Sequence, residues 1–188
     1  MPTPTLIVGI GASSGGLEPL QALVKRLPAG RGLAVVVIQH LEAAASRNPT
    51  VDVLAGACPL RVVEAENGMA VEADTLYVTP PGRHLDVAGG HFTVREVVHC
   101  DRLRMPIDHF LCTLAAQQAY RCCGVLLSGG GSDGMLGLSE IKACGGLTIA
   151  QDPAQAQKPE MPQNALTAGV VDFSLLVAEH AGRHPGLR

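Results

Sequence analysis

Residues 33–39, LAVVVIQ, place six apolar residues in a row with no polar alternation. A run this short falls far below the roughly 20 residues that span a bilayer. Without a period of two, it reads as a strand buried on both faces, as in a parallel sheet covered by helices. Further strand-like runs lie at 5–10, 60–65 and 124–128, in GLTIAQD and in the closing VVDFSLL. Helical patterns alternate with them. Leu17, Leu20, Leu23, Val24 and Leu27 share one helix face, with Pro28 and Gly30 punctuating its end. Asn48-Pro49 opens a helix through Ala57, and further helices are expected over 109–120, 135–144 and 162–168. Asp108 is placed to cap the first of those three.

The stretch from Glu66 to Glu96 has a different texture. Short alternating runs at 75–79, 84–88 and 91–95 read as an antiparallel excursion attached to the main sheet, with Gly89-Gly90 as a two-residue hairpin turn. The expected fold class is therefore α/β: a doubly wound, mostly parallel sheet with helices on both faces and a β-hairpin excursion. One domain is expected over 1–178, with 179–188 as a flexible tail.

Composition narrows the function classes. The chain has 188 residues, a formal net charge of -3 and 3% aromatics with no Trp, which offers nucleic acid neither a basic footprint nor a stacking platform. The start, Met-Pro-Thr-Pro-Thr, lacks a signal-peptide pattern, so no membrane insertion and a cytoplasmic location are expected. Six cysteines are scattered without paired CxxC spacing and read as buried, reduced thiols. His84, His91, His99 and Cys100 lack a metal-site spacing, and no metal is expected.

In an open parallel sheet, ligands bind outside the carboxyl ends of the strands. Three residues with chemistry end strand-like runs here: Ser13 after TLIVGIGA, His40 after GLAVVVIQ, and Asp133 in the turn after GVLLSGGGS. Gly11-Ala12-Ser13-Ser14-Gly15 fits GxSxG at a strand-to-helix turn, where a hydroxyl is thrust outward as a nucleophile. The same turn would serve as a helix cap or a phosphate-binding loop. His40 is a candidate base or a packed structural histidine. Asp133 is a candidate orienting acid, or an N-cap with Ser132 for the helix starting near Gly134. Met161-Pro162 reads, from its proline, as a plain turn.

GIGASSGGLE, VVVIQHL, VEAENGMAVEADTLYVTPPGRHL, MPID, LLSGGGSDGMLGL and AQDPAQAQKPEMPQNALTAGVVD, in that order, resemble the catalytic domain of CheB-type protein-glutamate methylesterases. The resemblance runs from about Leu6 to Leu176. It implies Ser13 as nucleophile, His40 as base and Asp133 as the buried acid. It also implies oxyanion donors at the amides near Ser14 and Gly130, the latter a position where family members often carry Met or Thr, with His84 as a lining of the substrate cleft and Met161-Pro162 as a loop near the site. The implied reaction removes methyl esters from chemoreceptor glutamates, releasing methanol, and deamidates receptor glutamines, with no metal or organic cofactor. Implied partners are the cytoplasmic helices of methylated chemoreceptors. The usual architecture places a phosphorylatable receiver domain first, whereas this chain starts at the first strand. Control is then expected from a separate response-regulator or methyltransferase protein, unless activity is constitutive. Hydrolysis of another ester or amide, a non-catalytic signalling module and a nucleotide-binding domain are the rival readings.

Overall fold

The computed structural model describes residues 3–40, 48–96 and 105–177. Its centre is β1 (Leu6–Ala12), flanked by β2 (Leu33–Gln39) and, on the other side, β7 (Cys122–Leu126). Outward from β2 lie β4 (Thr75–Val78) and β3 (Arg61–Glu64); outward from β7 lie β8 (Leu147–Gln151) and β9 (Phe173–Leu175). All seven strands run parallel, in the order β3-β4-β2-β1-β7-β8-β9. The order reverses direction at β1, so the crevice between β1 and β7 is the switch point where such sheets place ligands.

The apolar run that opens the reading does bury both faces. Ala34, Val36 and Ile38 of β2 join one core, while Val35 and Val37 join the other. Helices α1 (Leu17–Val24) and α2 (Thr50–Ala55) supply Leu20, Val24, Val51 and Leu54 to the second core. Helices α3 (Pro106–Gln118), α4 (Met135–Ala143) and α5 (Glu160–Thr167) cover the opposite face through Phe110, Leu111, Leu114, Leu138, Ile141 and Ala165. No helix among the described residues is long and apolar enough to cross a membrane.

The hairpin excursion is β5 (Arg83–Ala88) and β6 (His91–Glu96), closed by Gly89-Gly90 with φ of 55° and 77°, the left-handed pair a type I′ turn needs. Two expectations are corrected here. The run 75–79 does not belong to the excursion: β4 pairs in parallel with both β2 and β3. Thr75, Leu76, Tyr77 and Val78 are all buried, so the apparent alternation is a doubly covered strand with a polar first residue. The hairpin is also a separate two-stranded sheet, not an extension of the main one. It is sewn to 68–71, where Gly68 and Val71 donate to Phe92 and Gly90 carbonyls, and it packs on α3. The tail expected over 179–188 lies outside the described residues, as do His99 and Cys100.

Helix α3 sits unusually close to the sheet. Gly9 of β1 and Gly124 of β7 are register partners, and neither carries a side chain to hold the helices off. A Cβ at Gly9 would lie 2.5 Å from Leu111 Cδ2, and one at Gly124 would lie 2.5 Å from Leu138 Cδ2. Gly9→Ala should therefore overpack the α3 contact and cost about 1–3 kcal/mol, measured by denaturant unfolding.

At the far edge, Asp172 ties β8 to the segment before β9. Its carboxylate accepts from the Thr148 amide at 3.0 Å, the Thr148 hydroxyl at 2.9 Å and Lys142 Nζ at 2.7 Å. The Lys142 contact, then those of Thr148, hold its carboxyl below the usual value. A depressed folded-state value stabilises the fold above the unfolded value, and that stability is lost as acid protonates the folded group. Asp172→Asn should lower Tm by a few degrees at neutral pH, and the gap to wild type should narrow as pH falls below about 4 in a series of melts.

Candidate active site

Ser13 and His40 are the first residues beyond two paired strands. The β1–β2 register ends with Ala12 opposite Gln39, which brings Ser13 and His40 out of the sheet side by side at its C-terminal edge. On the other side of β1, the ladder runs one step past β7: the Ser13 amide donates to the Ser128 carbonyl at 3.0 Å. Ser13 is half-buried and Ser14 exposed.

Ser128 is the anchor of the serine turn and was not singled out by the sequence reading. Fully buried, it donates its hydroxyl to the Ser14 carbonyl at 2.9 Å and accepts the Lys158 amide at 2.9 Å. Its own amide donates to Gln151 Oε1 at 2.8 Å. One side chain thus ties the turn after β1 to the loop after β8. A serine in LLSGGG carries no sequence signal that distinguishes this role from an ordinary loop residue. The next residue, Gly129, fills the space between Ser13 and Met161. A Cβ there would meet Met161 Sδ at 2.6 Å and Ser13 Cβ at 3.0 Å. Met161 is fully buried in the first turn of α5, so Met161-Pro162 forms part of a helix.

The end of β2 is fixed by a short relay. Thr50 donates its hydroxyl to Gln39 Oε1 at 2.7 Å, and Asn48 donates through Nδ2 to the Thr79 carbonyl at 2.9 Å. His40 follows directly, and its Nε2 lies 3.1 Å from Asp133 Oδ2. The imidazole is one-third exposed while the carboxylate is 5% exposed, so the acid is buried behind the base.

Asp133 does not cap the helix it precedes. The N-cap of α4 is Gly134, without a side-chain bond. Instead the carboxylate turns to α3, accepting the Ile107 amide at Oδ2 (3.1 Å) and the Asp108 amide at Oδ1 (2.8 Å). Burial pushes its carboxyl up, the two amides and His40 pull it back, and the nearby Asp108 pushes it up again. The amides at a helix N-terminus favour the ionised form.

Asp108 likewise does not cap its own helix, whose N-cap is Met105 followed by Pro106. Its carboxylate lies in the first turn and accepts the Gly137 amide of α4 at 2.8 Å. Proline occupies the first helical position, and the Ile107 and Asp108 amides that a cap would have served donate to Asp133 instead, so the helix begins three residues before the expected start.

His84 is nearly buried on β5, with its ring stacked on that of His109 at 4.7 Å. His109 in turn contacts Asp86, which also pairs with Arg95 at 2.7 Å. His109 adjoins the Ile107 and Asp108 amides that hold Asp133, so this cluster backs the first turn of α3. His91 sits at the opposite end of the hairpin from His84, its Nδ1 against the Gly89 carbonyl, and the two do not converge. Gly130 is exposed, and a Cβ there would meet nothing within 4 Å, so that wall of the crevice is open. Cys122 and Cys123 are buried and Cys58, Cys112 and Cys144 half-buried, all as free thiols.

A half-buried hydroxyl just beyond the central strand, and beside it an imidazole paired with a buried carboxylate, are residue types suited to acyl transfer. The comparisons with known proteins point the same way. The family model "CheB methylesterase" matches residues 8–183. A protein-glutamate methylesterase/protein-glutamine glutaminase of Geobacter sulfurreducens is 36% identical over 174 residues, covering 89% of this chain and 48% of the relative. A putative protein of the same description from Leptospira interrogans is 33% identical, covering 88% of this chain and 86% of its own length. The chain thus spans about half of the first relative and most of the second. The crystal structure of the Thermotoga maritima CheB methylesterase catalytic domain superposes with a TM-score of 0.82 at 28% identity, covering 93% of each chain. This chain belongs to the CheB methylesterase family.

Proposed function

We propose that the protein is a serine hydrolase that removes methyl esters from chemoreceptor glutamates, and that residues 1–178 form its catalytic unit. The observation that carries this reading is the 3.1 Å approach of His40 Nε2 to the buried Asp133, beside the strand end that delivers Ser13. The relatives are named for methyl esters of protein glutamates, and the family resemblance supplies the chemoreceptor.

In this mechanism Ser13 Oγ attacks the ester carbonyl while His40 takes its proton. Because Nε2 faces Asp133, Nδ1 is the nitrogen assigned to the hydroxyl. The tetrahedral intermediate collapses as His40 returns that proton to the departing methoxy oxygen, giving methanol and a glutamyl-Ser13 ester. Water, deprotonated by His40, then attacks the same carbonyl and releases the glutamate carboxylate and free Ser13. A glutamine side chain follows the same path with ammonia leaving. Asp133 holds the imidazole's orientation and stabilises the imidazolium that forms between the steps. Amides at Ser14 and Gly130 are assigned to the oxyanion. The substrate partner is the receptor's helical cytoplasmic region. These steps take place in the cytoplasm.

Ser13→Ala should reduce methanol release from receptor membranes carrying methyl-esterified glutamates to background, with an unchanged melting curve. His40→Ala should lose several orders of magnitude. A Ser13→Ala protein that still released methanol at the wild-type rate would remove the nucleophile assignment, and failure of a fluorophosphonate probe to label Ser13 would favour a non-catalytic module. Gly129→Ala should lower kcat about tenfold by pressing on Ser13 Cβ, since small displacements of a reacting group are costly. The comparison of kcat with Tm for that variant separates misplacement from unfolding.

A further inference from the structure

Asp108 takes no part in the chemistry above, yet it is 7% exposed, close to the 4% of Asp133. The two aspartates are arranged reciprocally. Asp133 stands two residues before α4 and accepts the amides of Ile107 and Asp108 in the first turn of α3. Asp108 stands in the first turn of α3 and accepts the Gly137 amide in the first turn of α4. Neither helix has a side-chain cap from its own N-cap residue. Each helix start is therefore satisfied by a carboxylate from the other, where local capping would have left the two ends independent.

We infer that Asp108 is a positioning residue of the active site: its bond to Gly137 locks the start of α4 to the start of α3, which keeps the α3 amides aimed at Asp133. With those amides fixed, Asp133 Oδ2 stays turned toward His40. The contact surfaces support this rigidity. Leu111, one turn along α3 from Ile107, would lie 2.4 Å from a Cβ at Gly137, so the two helices meet almost backbone to side chain at that point. Among the described residues, His40 pairs with Asp133, and Cys112 lies near both Asp108 and Glu140 of α4. This inference rests on the Ser13-His40-Asp133 reading.

The test compares Asp108→Ala, Asp108→Asn and Val24→Ala, a buried truncation in the other core. The assay is methanol release from a receptor cytoplasmic fragment carrying radiolabelled glutamate methyl esters. Asp108→Ala should lower kcat by about 10- to 100-fold, the scale of a lost hydrogen bond to a buried charged group, with KM unchanged. Fluorophosphonate labelling of Ser13 should slow in parallel. Asp108→Asn keeps a carbonyl oxygen for the Gly137 amide and should recover most of kcat. Val24→Ala should lower Tm while leaving kcat of the folded protein unchanged.

Wild-type kcat in Asp108→Ala, or an equal kcat loss in Val24→Ala, would overturn the inference, because the aspartate would then be only a stabilising cap. An effect confined to KM would overturn it as well. If the alanine variant does not fold, Asp108→Ser, whose shorter side chain leaves room for water in the vacated space, is read against the same outcomes. Ser13→Ala is run beside them. Full activity of that variant would sink the underlying hydrolase reading, whereas an inactive Ser13→Ala with a fully active Asp108→Ala would sink the positioning role alone.

Discussion

Close seating of α3 on the bare centre of the sheet is the contact on which the rest depends. Gly9 and Gly124 face each other across β1 and β7, and Leu111 and Leu138 occupy the space that their side chains would have filled. That approach sets the height of α3 over the strands and so the position of its first turn. From there the Ile107 and Asp108 amides reach Asp133, and the outer side of α3 receives the β5–β6 hairpin. One helix thus has the sheet below it, the hairpin beside it and the acid at its tip. Glycine costs conformational entropy within a strand, and here that cost is offset by packing that no larger residue would permit.

The architecture was legible where burial was extreme. The unbroken run in β2 gave a doubly covered strand, and Gly89-Gly90 between two alternating runs gave a hairpin whose register closes on Ala88 and His91. Thr75–Val78 misled because a polar first residue and a tyrosine imitate alternation, although Tyr77 is buried with its hydroxyl bonded to the Ala70 carbonyl and the Glu72 amide. A tyrosine that satisfies its own polar end looks amphipathic in sequence and is core in space. At the candidate site, Ser13, His40 and Asp133 stand out because each follows an apolar run at the C-terminal edge of the sheet, where parallel sheets place ligands. Ser128 and Asp108 could not. Their roles depend on partners 114 and 29 positions away, and local patterns carry no trace of such pairings.

The electrostatics separate the buried acids from the buried thiols. Burial pushes the thiols of Cys122 and Cys123 up to about 12 and that of Cys112 to about 11, so none of the three carries thiolate at neutral pH. The same force acts on Asp133 and Asp108, whose carboxyls are raised first by desolvation and then drawn down by backbone amides. What distinguishes the acids from the thiols is the supply of donors. Helix starts face the two aspartates, whereas among the described residues Cys122 meets the Cys144 thiol and the Ala119 carbonyl.

Ser13, His40 and Asp133 come from the ends of β1, β2 and β7, separated along the chain by more than half its length. No loop or hairpin contains two of them. A partly folded chain in which β7 has not yet docked would hold a serine and a histidine side by side with no acid behind them. The grouping of these three side chains is therefore a property of the assembled sheet, complete only when the central strand has neighbours on both flanks, and it belongs to no single segment.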